Sequence, residues 1–354
     1  MSRDLESVHI ELFSTAPPID HEDPARYLIR VSDVARWSER AGCRGMLIYS
    51  DNSQADPWLI ADTVIQSTRR LCPLVTVQPM YMHPYTVAKI VATLASVFGR
   101  RVYLNLIASG FVEDLRALGE CTPEDRRYDR LVEYSQVVLQ LLCGEGPVTC
   151  NGEFYRVREL RLLPPCPAGL YPGLMMSGSS AASLKAAAAI GATTIHYPKP
   201  SHEYPEGPGQ RMRDSGIRVG IIARDDSHEA WEVAYSRFPR NRRGELTQQL
   251  AMKVCESVQH RQLSDLARGR PVHPYWLAPF QQYKTMCPYL VGSHAEVAGE
   301  LARYITAGHR TFIIDAAETA EDLEHIHTAF EYARGKADIR PAARRDERAG
   351  AAPA

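Results

Sequence analysis

Long apolar runs are missing from this 354-residue chain: none approaches the roughly 18 residues of a membrane-spanning helix, so no membrane partner is expected. Charge of one sign is missing too. The 41 Lys and Arg face 42 Asp and Glu, a net charge of -1, which removes the electrostatic reason to expect nucleic acid or an anionic bilayer. The eight cysteines form no CxxC pair and have no His at ligand spacing, which excludes a zinc-ribbon pattern and a disulfide framework. The opening stretch, MSRDLESVHIELF, lacks the apolar core of a signal peptide, and scattered thiols suit a reducing compartment, so a cytoplasmic protein is expected. No strand-like run leads into a GxGxxG turn, so the dinucleotide-binding fingerprint is absent.

What is present is an alternation of short apolar runs with amphipathic helices. The runs are VHIELF (8–13), GMLIY (45–49), PLVTVQ (73–78), VYLNLI (102–107), GLMMS (173–177), TTIHY (193–197), IRVGIIA (217–223) and TFIID (311–315). Most are continuously apolar, as strands buried on both faces should be. Between them, Asp56-Pro57 reads as a helix cap followed by its first residue, and Thr122-Pro123 with Asp125 resembles a capping box. Gly42, Gly191 and Gly308 sit where helices should stop. Val87, Ile90, Val91, Leu94, Val97 and Phe98 keep one helical face, as do Leu131, Tyr134, Val137, Val138, Leu141 and Leu142. Eight such units predict an α/β fold, a (β/α)8 TIM barrel. An open, doubly wound sheet is the structural alternative.

Two connections exceed a simple βα link. CNGEFYRV reads as a hairpin with Asn151-Gly152 as a type I′ turn. The longest insertion, roughly 85 residues before the eighth strand, holds a helical stretch over 245–268 and the Pro- and aromatic-rich PVHPYWLAPFQQYKTMCPYL, a lid or an interface element. A single domain is expected over 1–337, with a disordered tail over 338–354.

In a barrel the chemistry gathers at the carboxyl ends of the strands. Those ends carry Ser14 and Thr15, Tyr49 to Asn52, Gln78 to His83, Asn105 to Gly110, Ser177 to Ser180, His196 to Lys199, and Arg224 with Asp225. Few are carboxylates and no three cluster as metal ligands, which argues against metal-assisted hydrolysis and against a glycosidase carboxylate pair. The chemistry is then expected from a cofactor. In SGSSAASLKAAAAIGA a strand ends in Ser177-Gly178-Ser179-Ser180 and opens into a helix, which gives free N–H groups and hydroxyls for a phosphate; a Ser cap beside a permissive Gly is the plainer account. Tyr128 lies beside Arg126 and Arg127 and reads as a phosphate contact or as a surface residue. His83-Pro84 would orient a helix start. Asn105 is polar within an apolar strand, either satisfied inside the barrel or facing a ligand, and in a barrel the ligand is favoured. Asn105, His196 and Tyr49 are the catalytic candidates. Lys199 permits a Schiff-base reading, against a solvated loop lysine between two prolines.

Four segments in order, HPYTVAKIVATLASVFGRRVYLNLIASG, RRYDRLVEYSQVVLQLLCGEGPVTCNGEFYRV, MSGSSAASLKAAAAIGA and CPYLVGSHAEVAGELARYITAGHRTFIID, resemble the bacterial luciferase-like flavin monooxygenases, nearest their alkanesulfonate monooxygenase-like branch. The likeness runs over about 8–335. It implies a TIM barrel that receives reduced FMN from a separate NAD(P)H-dependent flavin reductase and uses O2, through a C4a-(hydro)peroxyflavin, to oxygenate a small organic substrate. It further implies that Ser177, Gly178, Ser179, Ser180 and Tyr128 hold the phosphate, that Asn105, Ser109 and Gly110 lie beside the isoalloxazine with Gln78 beneath it, and that the chain is a homo-oligomer, a dimer or tetramer. The alkanesulfonate enzymes carry an Arg and a His on the seventh strand. Here Ile221, Ile222 and Ala223 are taken as its interior positions, which implies a less anionic substrate. A deazaflavin-dependent oxidoreductase and a catalytically silent flavin-binding homologue are the alternatives on the same barrel.

Overall fold

The computed structural model describes residues 9–19, 21, 23–50, 52–108, 112–204, 215–253, 257–269 and 272–336. The expected tail, Ser109, Gly110 and Pro271 lie outside these residues. The chain opens with β1 (Glu11–Thr15), α1 (Pro24–Arg40), β2 (Gly45–Ile48), α2 (Pro57–Ser67), β3 (Cys72–Val77), α3 (Pro84–Phe98) and β4 (Tyr103–Leu106). It continues through α4 (Val112–Ala117), α5 (Glu124–Cys143), the hairpin β5 (Val148–Asn151) and β6 (Arg156–Leu160), β7 (Gly173–Ser177), α6 (Ala181–Ile190) and β8 (Thr193–His196). Then come β9 (Ser215–Arg224), α7 (Ser227–Arg237), α8 (Arg242–Lys253), α9 (Val258–Leu266), β10 (Tyr275–Trp276) and α10 (Ala278–Gln281). The last elements are β11 (Tyr289–Ser293), α11 (His294–Ala307), β12 (His309–Ile314) and α12 (Ala320–Lys336).

Strands β1, β2, β3, β4, β7, β8, β9 and β12 pair in parallel in that order, and β12 pairs back onto β1. The barrel is closed, so the open doubly wound alternative is set aside. Each apolar run became a barrel strand because side chains alternate between two buried faces. Phe13, Leu47, Leu74, Tyr103, Met175, Ile195 and Ile313 fill the interior. Their neighbours Val75, Leu104 and Met176 pack outward with helix residues such as Val87, Val91 and Tyr134, and Leu12, Phe312 and Ile314 pack with Leu301, Tyr304 and Phe330. β9 is long: its first half pairs with β12, and its second half, Gly220 to Arg224, pairs with β11, which β10 extends antiparallel. Between β8 and β9 the described residues hold a 3-10 turn, Ser201–Glu203, and no α-helix.

Local expectations fared unevenly. Asp56 accepts from the N–H groups of Trp58 and Leu59, as its cap position requires, and Gly191 and Gly308 end their helices with positive φ. Thr122 does not cap α5: its hydroxyl accepts from Arg130, which Glu120 holds in a buried ion pair. The capping box lies instead at Ser293 and Glu296. Val97 and Phe98 are exposed (67% and 42%), because the alanines Ala88, Ala92 and Ala95 share the buried face of α3. The hairpin forms, but Gly152 lacks the positive φ of a type I′ turn; the loop is wider, and the carboxylate of Glu133 accepts from the N–H groups of Glu153, Phe154 and Tyr155. The helical stretch at 245–268 is two helices, α8 and α9.

Asp322 ties the last helix to the barrel. It accepts from Arg224 at the end of β9 and from Arg237 at the end of α7, both at 2.8 Å, and from the N–H groups of Glu318 and Thr319. Burial pushes its carboxyl up, but the two guanidinium groups outweigh this and hold it below its ordinary value. A depressed carboxylate contributes stability that is present above its unfolded pKa and lost as pH falls through the folded one. Removing one partner of such a buried set costs about 3–5 kcal/mol. Asp322→Asn should therefore lower the unfolding free energy by about that amount at pH 7, with the gap to wild type closing below about pH 4. Urea unfolding at both pH values measures this, and a gap independent of pH would contradict the assignment.

Candidate functional site

One layer above the apolar interior, the inward-facing positions turn polar. Asn105 on β4 stands opposite Thr76 on β3 and donates to its hydroxyl at 3.2 Å. Ser177, at the end of β7, donates to Asn105 Oδ1 at 3.1 Å. This chain crosses three strands and fixes the Asn105 amide. The next inward position on β3 is Gln78, which is 2% exposed and whose amide oxygen and nitrogen have no hydrogen-bond partner among the described residues. A buried amide left this way costs about 1–3 kcal/mol per unpaired group, so it marks a place where a ligand can complete the bonding.

The Ser177 strand end leads directly into the turn. Gly178 has φ 153°, a conformation open to glycine, and a Cβ there would stand 2.7 Å from Ser183 Oγ and 3.5 Å from Tyr128 Oη. The phenol of Tyr128, from α5, therefore closes on this turn. Ser180 caps α6 by accepting from the Ser183 N–H at 3.1 Å, while the buried hydroxyl of Ser179 has no partner among the described residues. Donors, a helix N-terminus and a glycine cradle thus meet with an unmatched hydroxyl, and this is the chemistry a phosphate requires. Arg126 and Arg127 are engaged elsewhere: Arg126 pairs with Asp129 and Glu153, and Arg127 donates to the Thr122 carbonyl.

Across the mouth a second cluster is charged. The guanidinium of Arg218 donates to Asp315 Oδ1 at 3.1 Å and lies 4.7 Å over the ring of Tyr49. Tyr289 Oη donates to the other carboxylate oxygen of Asp315 at 2.9 Å. Gly220 makes room for this, since a Cβ there would lie 2.3 Å from the Tyr289 ring. Burial pushes the phenol of Tyr289 and the thiol of nearby Cys287 well up, and Asp315 adds to both. On the neighbouring wall the ring of Tyr197 lies tilted against His260 of α9, their polar atoms 3.3 Å apart, and Phe280 stacks on the imidazole at 6.2 Å between ring centroids. Burial, then the charge of Arg218, lowers the His260 pKa to about 4.

The assumed interior of the seventh strand needs correction. Ile221 and Ala223 face outward against the helices, and Ile222 packs with α7 and β11. The inward series is Gly216, Arg218 and Gly220, so the strand does bring an Arg to the mouth, and β9 carries no His. Its alternation with Ile217 and Val219 was the available signal. Asp315, Tyr289 and His260 carried no local signal. Tyr49 joins the mouth. His196 does not: it lies on the opposite face of β8 from Ile195 and meets Thr194 Oγ1 at 3.1 Å, with burial lowering its pKa. Lys199 is exposed beside Glu203 at 3.7 Å, far from the desolvated setting of a Schiff-base lysine. His83 caps α3 through Nδ1. No group of three or more His, Cys, Asp or Glu among the described residues could hold a metal, and no described helix is long and apolar enough to cross a membrane.

The family model described as luciferase-like monooxygenase matches residues 9–311. The chain is 29% identical over 326 residues to the Niallia circulans BtrO, named as a 4-(gamma-L-glutamylamino)butanoyl-BtrI acyl-carrier protein monooxygenase, covering 90% of this chain and 95% of that one. Among solved structures, DmoA from Hyphomicrobium sulfonivorans is similar with a TM-score of 0.72 at 18% identity, covering 93% of this chain and 89% of that one. The oxygenating constituent of the Pseudomonas putida 3,6-diketocamphane monooxygenase, solved with FMN, gives 0.65 at 14%, covering 92% and 97%. At these identities the structural likenesses carry the fold.

A neutral His260 in the folded chain has a pH signature. Because its folded pKa is depressed, the unfolded chain takes up its proton first, so stability falls as pH drops from about 6.5 to about 4. In urea unfolding across this window His260→Gln should lose roughly 2–4 kcal/mol less than wild type. Parallel losses in the two proteins would remove His260 from the buried mouth.

Proposed function

The chain belongs to the luciferase-like monooxygenase family, and from that premise we propose that it is the oxygenating component of a two-component monooxygenase, supplied with reduced FMN by an NAD(P)H-dependent flavin reductase. Bound reduced FMN supplies the electrons that activate dioxygen. The observation that carries this reading is the convergence of Tyr128 and the Ser177–Ser180 turn with the unpaired amide of Gln78, which fits a phosphate at one end and a polar ring edge at the other. Ser179, Ser180 and Tyr128 would hold the phosphate. Asn105, fixed by Thr76 and Ser177, would present its amide to the ring beside Gln78. The phenols of Tyr49 and Tyr289 close the opposite wall and limit water there, which suits chemistry that must not be diverted by solvent. The absence of a dinucleotide fingerprint supports a separate reductase, and a partner using NAD(P)H supports a cytoplasmic setting.

The substrate follows from the charges. Arg218 is already matched by Asp315, so among the described residues the mouth offers no surplus cation to a free sulfonate or carboxylate. A less anionic substrate still fits, now because the Arg is paired rather than because the strand is apolar. An acyl group held as a thioester, as on the carrier protein in the name of BtrO, has that property.

Anaerobic titration tests the cofactor. Reduced FMN should bind at least about tenfold tighter than reduced riboflavin, since charge-assisted hydrogen bonds are worth about 1.5–3 kcal/mol each. Gln78→Ala should weaken both flavins alike, because its amide lies away from the phosphate turn. Equal affinity for the two flavins, or preference for a reduced deazaflavin, would defeat the proposal. NADH alone should leave the purified protein inactive, and its direct oxidation would contradict the need for a reductase.

A further inference from the structure

Positive charge is concentrated in one part of this near-neutral chain. Residues 238–288, between α7 and β11, carry eight Lys or Arg against three Asp or Glu, whereas the whole chain carries 41 against 42. In α8, Arg242, Leu246 and Leu250 recur at helical spacing and share a face. Leu246 and Leu250 are 56% and 63% exposed, and Arg242 and Arg243, both exposed, have no ion-pair partner among the described residues. The other side of α8 is held down. Gln248 is buried, and Gly244 sits so near the Gln282 carbonyl that a Cβ would stand 2.1 Å from it.

This segment is anchored at the mouth. Gln259 Nε2 donates to the Ile195 carbonyl at 3.3 Å, His260 meets Tyr197 at 3.3 Å, and Tyr275 Oη donates to the Pro198 carbonyl at 2.9 Å. Three contacts, on Ile195, Tyr197 and Pro198 around the end of β8, therefore fix the insertion beside the opening. An apolar centre with a basic rim suits an amphipathic, acidic partner helix, because charge of opposite sign steers and orients encounter. We infer that the Arg242–Leu246–Leu250 face of α8 docks an acidic acyl-carrier domain that presents its thioester-linked acyl group to the mouth. The inference rests on the monooxygenase reading above and names how its substrate arrives. It also accounts for where the charge sits among the described residues: the mouth's Arg218 is matched by Asp315, while Arg242 and Arg243 lie outside, where a carrier and not a free acid would meet them.

Fluorescence anisotropy of labelled holo acyl-carrier proteins from a panel with acidic recognition helices, titrated with the full chain, tests this. At least one carrier should bind, and raising NaCl from about 50 to about 300 mM should weaken it severalfold. The R242E/R243E pair should weaken binding at least about tenfold, and L246S/L250S should do so by loss of apolar contact. Both variants should bind reduced FMN within about twofold of wild type, since the phosphate turn lies on other elements. Absence of binding by every carrier, or variants that bind as wild type does, would overturn the inference. A change in sedimentation of the variants without carrier would assign the face to a second copy, and loss of only reductase-coupled turnover would assign it to the reductase; either result overturns it. Failure of wild type to bind reduced FMN would instead strike the preceding proposal, whatever the carrier result.

Discussion

The alternation of side chains along closed parallel strands governs this molecule. Each strand has one face against the helices and one inside the barrel, so a polar side chain on either face needs a partner in the protein or in a ligand. Toward the amino ends the interior is apolar, with Phe13, Leu47, Leu74 and Met175 interlocked. One layer higher the same series delivers Tyr49, Thr76, Asn105, Ser177, Arg218 and Asp315 to a common opening. A register slip of one residue on any strand would exchange a mouth residue for a core residue.

The two halves of that opening differ in electrostatic character. On β3, β4 and β7 the groups are hydroxyls and amides, linked to each other and leading to the glycine turn before α6. At the ends of β2 and β12, on β9 and on β11, a guanidinium, a carboxylate and two phenols balance each other at 3.5 Å or less. A site built this way can hold a polar cofactor against one wall and a substrate without free charge against the other. The insertion before β12 completes the second wall from outside the barrel, because Tyr289 and His260 both come from it.

Burial explains why these parts stay in place. Arg224 and Arg237 converge on Asp322 behind the mouth, and Thr15 reaches the Ile314 carbonyl across the seam between first and last strands. The Thr15 contact joins residues 299 positions apart and ties the ends of the ring together.

The eight apolar runs, the helix cap at Asp56 and the glycine stops are local patterns, and the chain order of the barrel followed from them alone. So did the candidacy of Asn105, Gln78, Tyr128 and the Ser177–Ser180 turn, since each is a polar interruption at a strand end or beside a helix start. The face of each residue was less legible. His196 and Arg218 lie on strands read correctly, yet one points out and the other in, and a continuously apolar strand gives no contrast from which to tell its two sides. Partners were not legible at all. Arg218 acquires its meaning from Asp315, 97 positions away, and Tyr197 from His260, 63 positions away, pairings that exist only once the barrel has closed. Sequence therefore determined the elements and their order, because those depend on neighbours within a few residues; tertiary structure decided which charges are matched and which side chains share the mouth, because those depend on register around the whole ring.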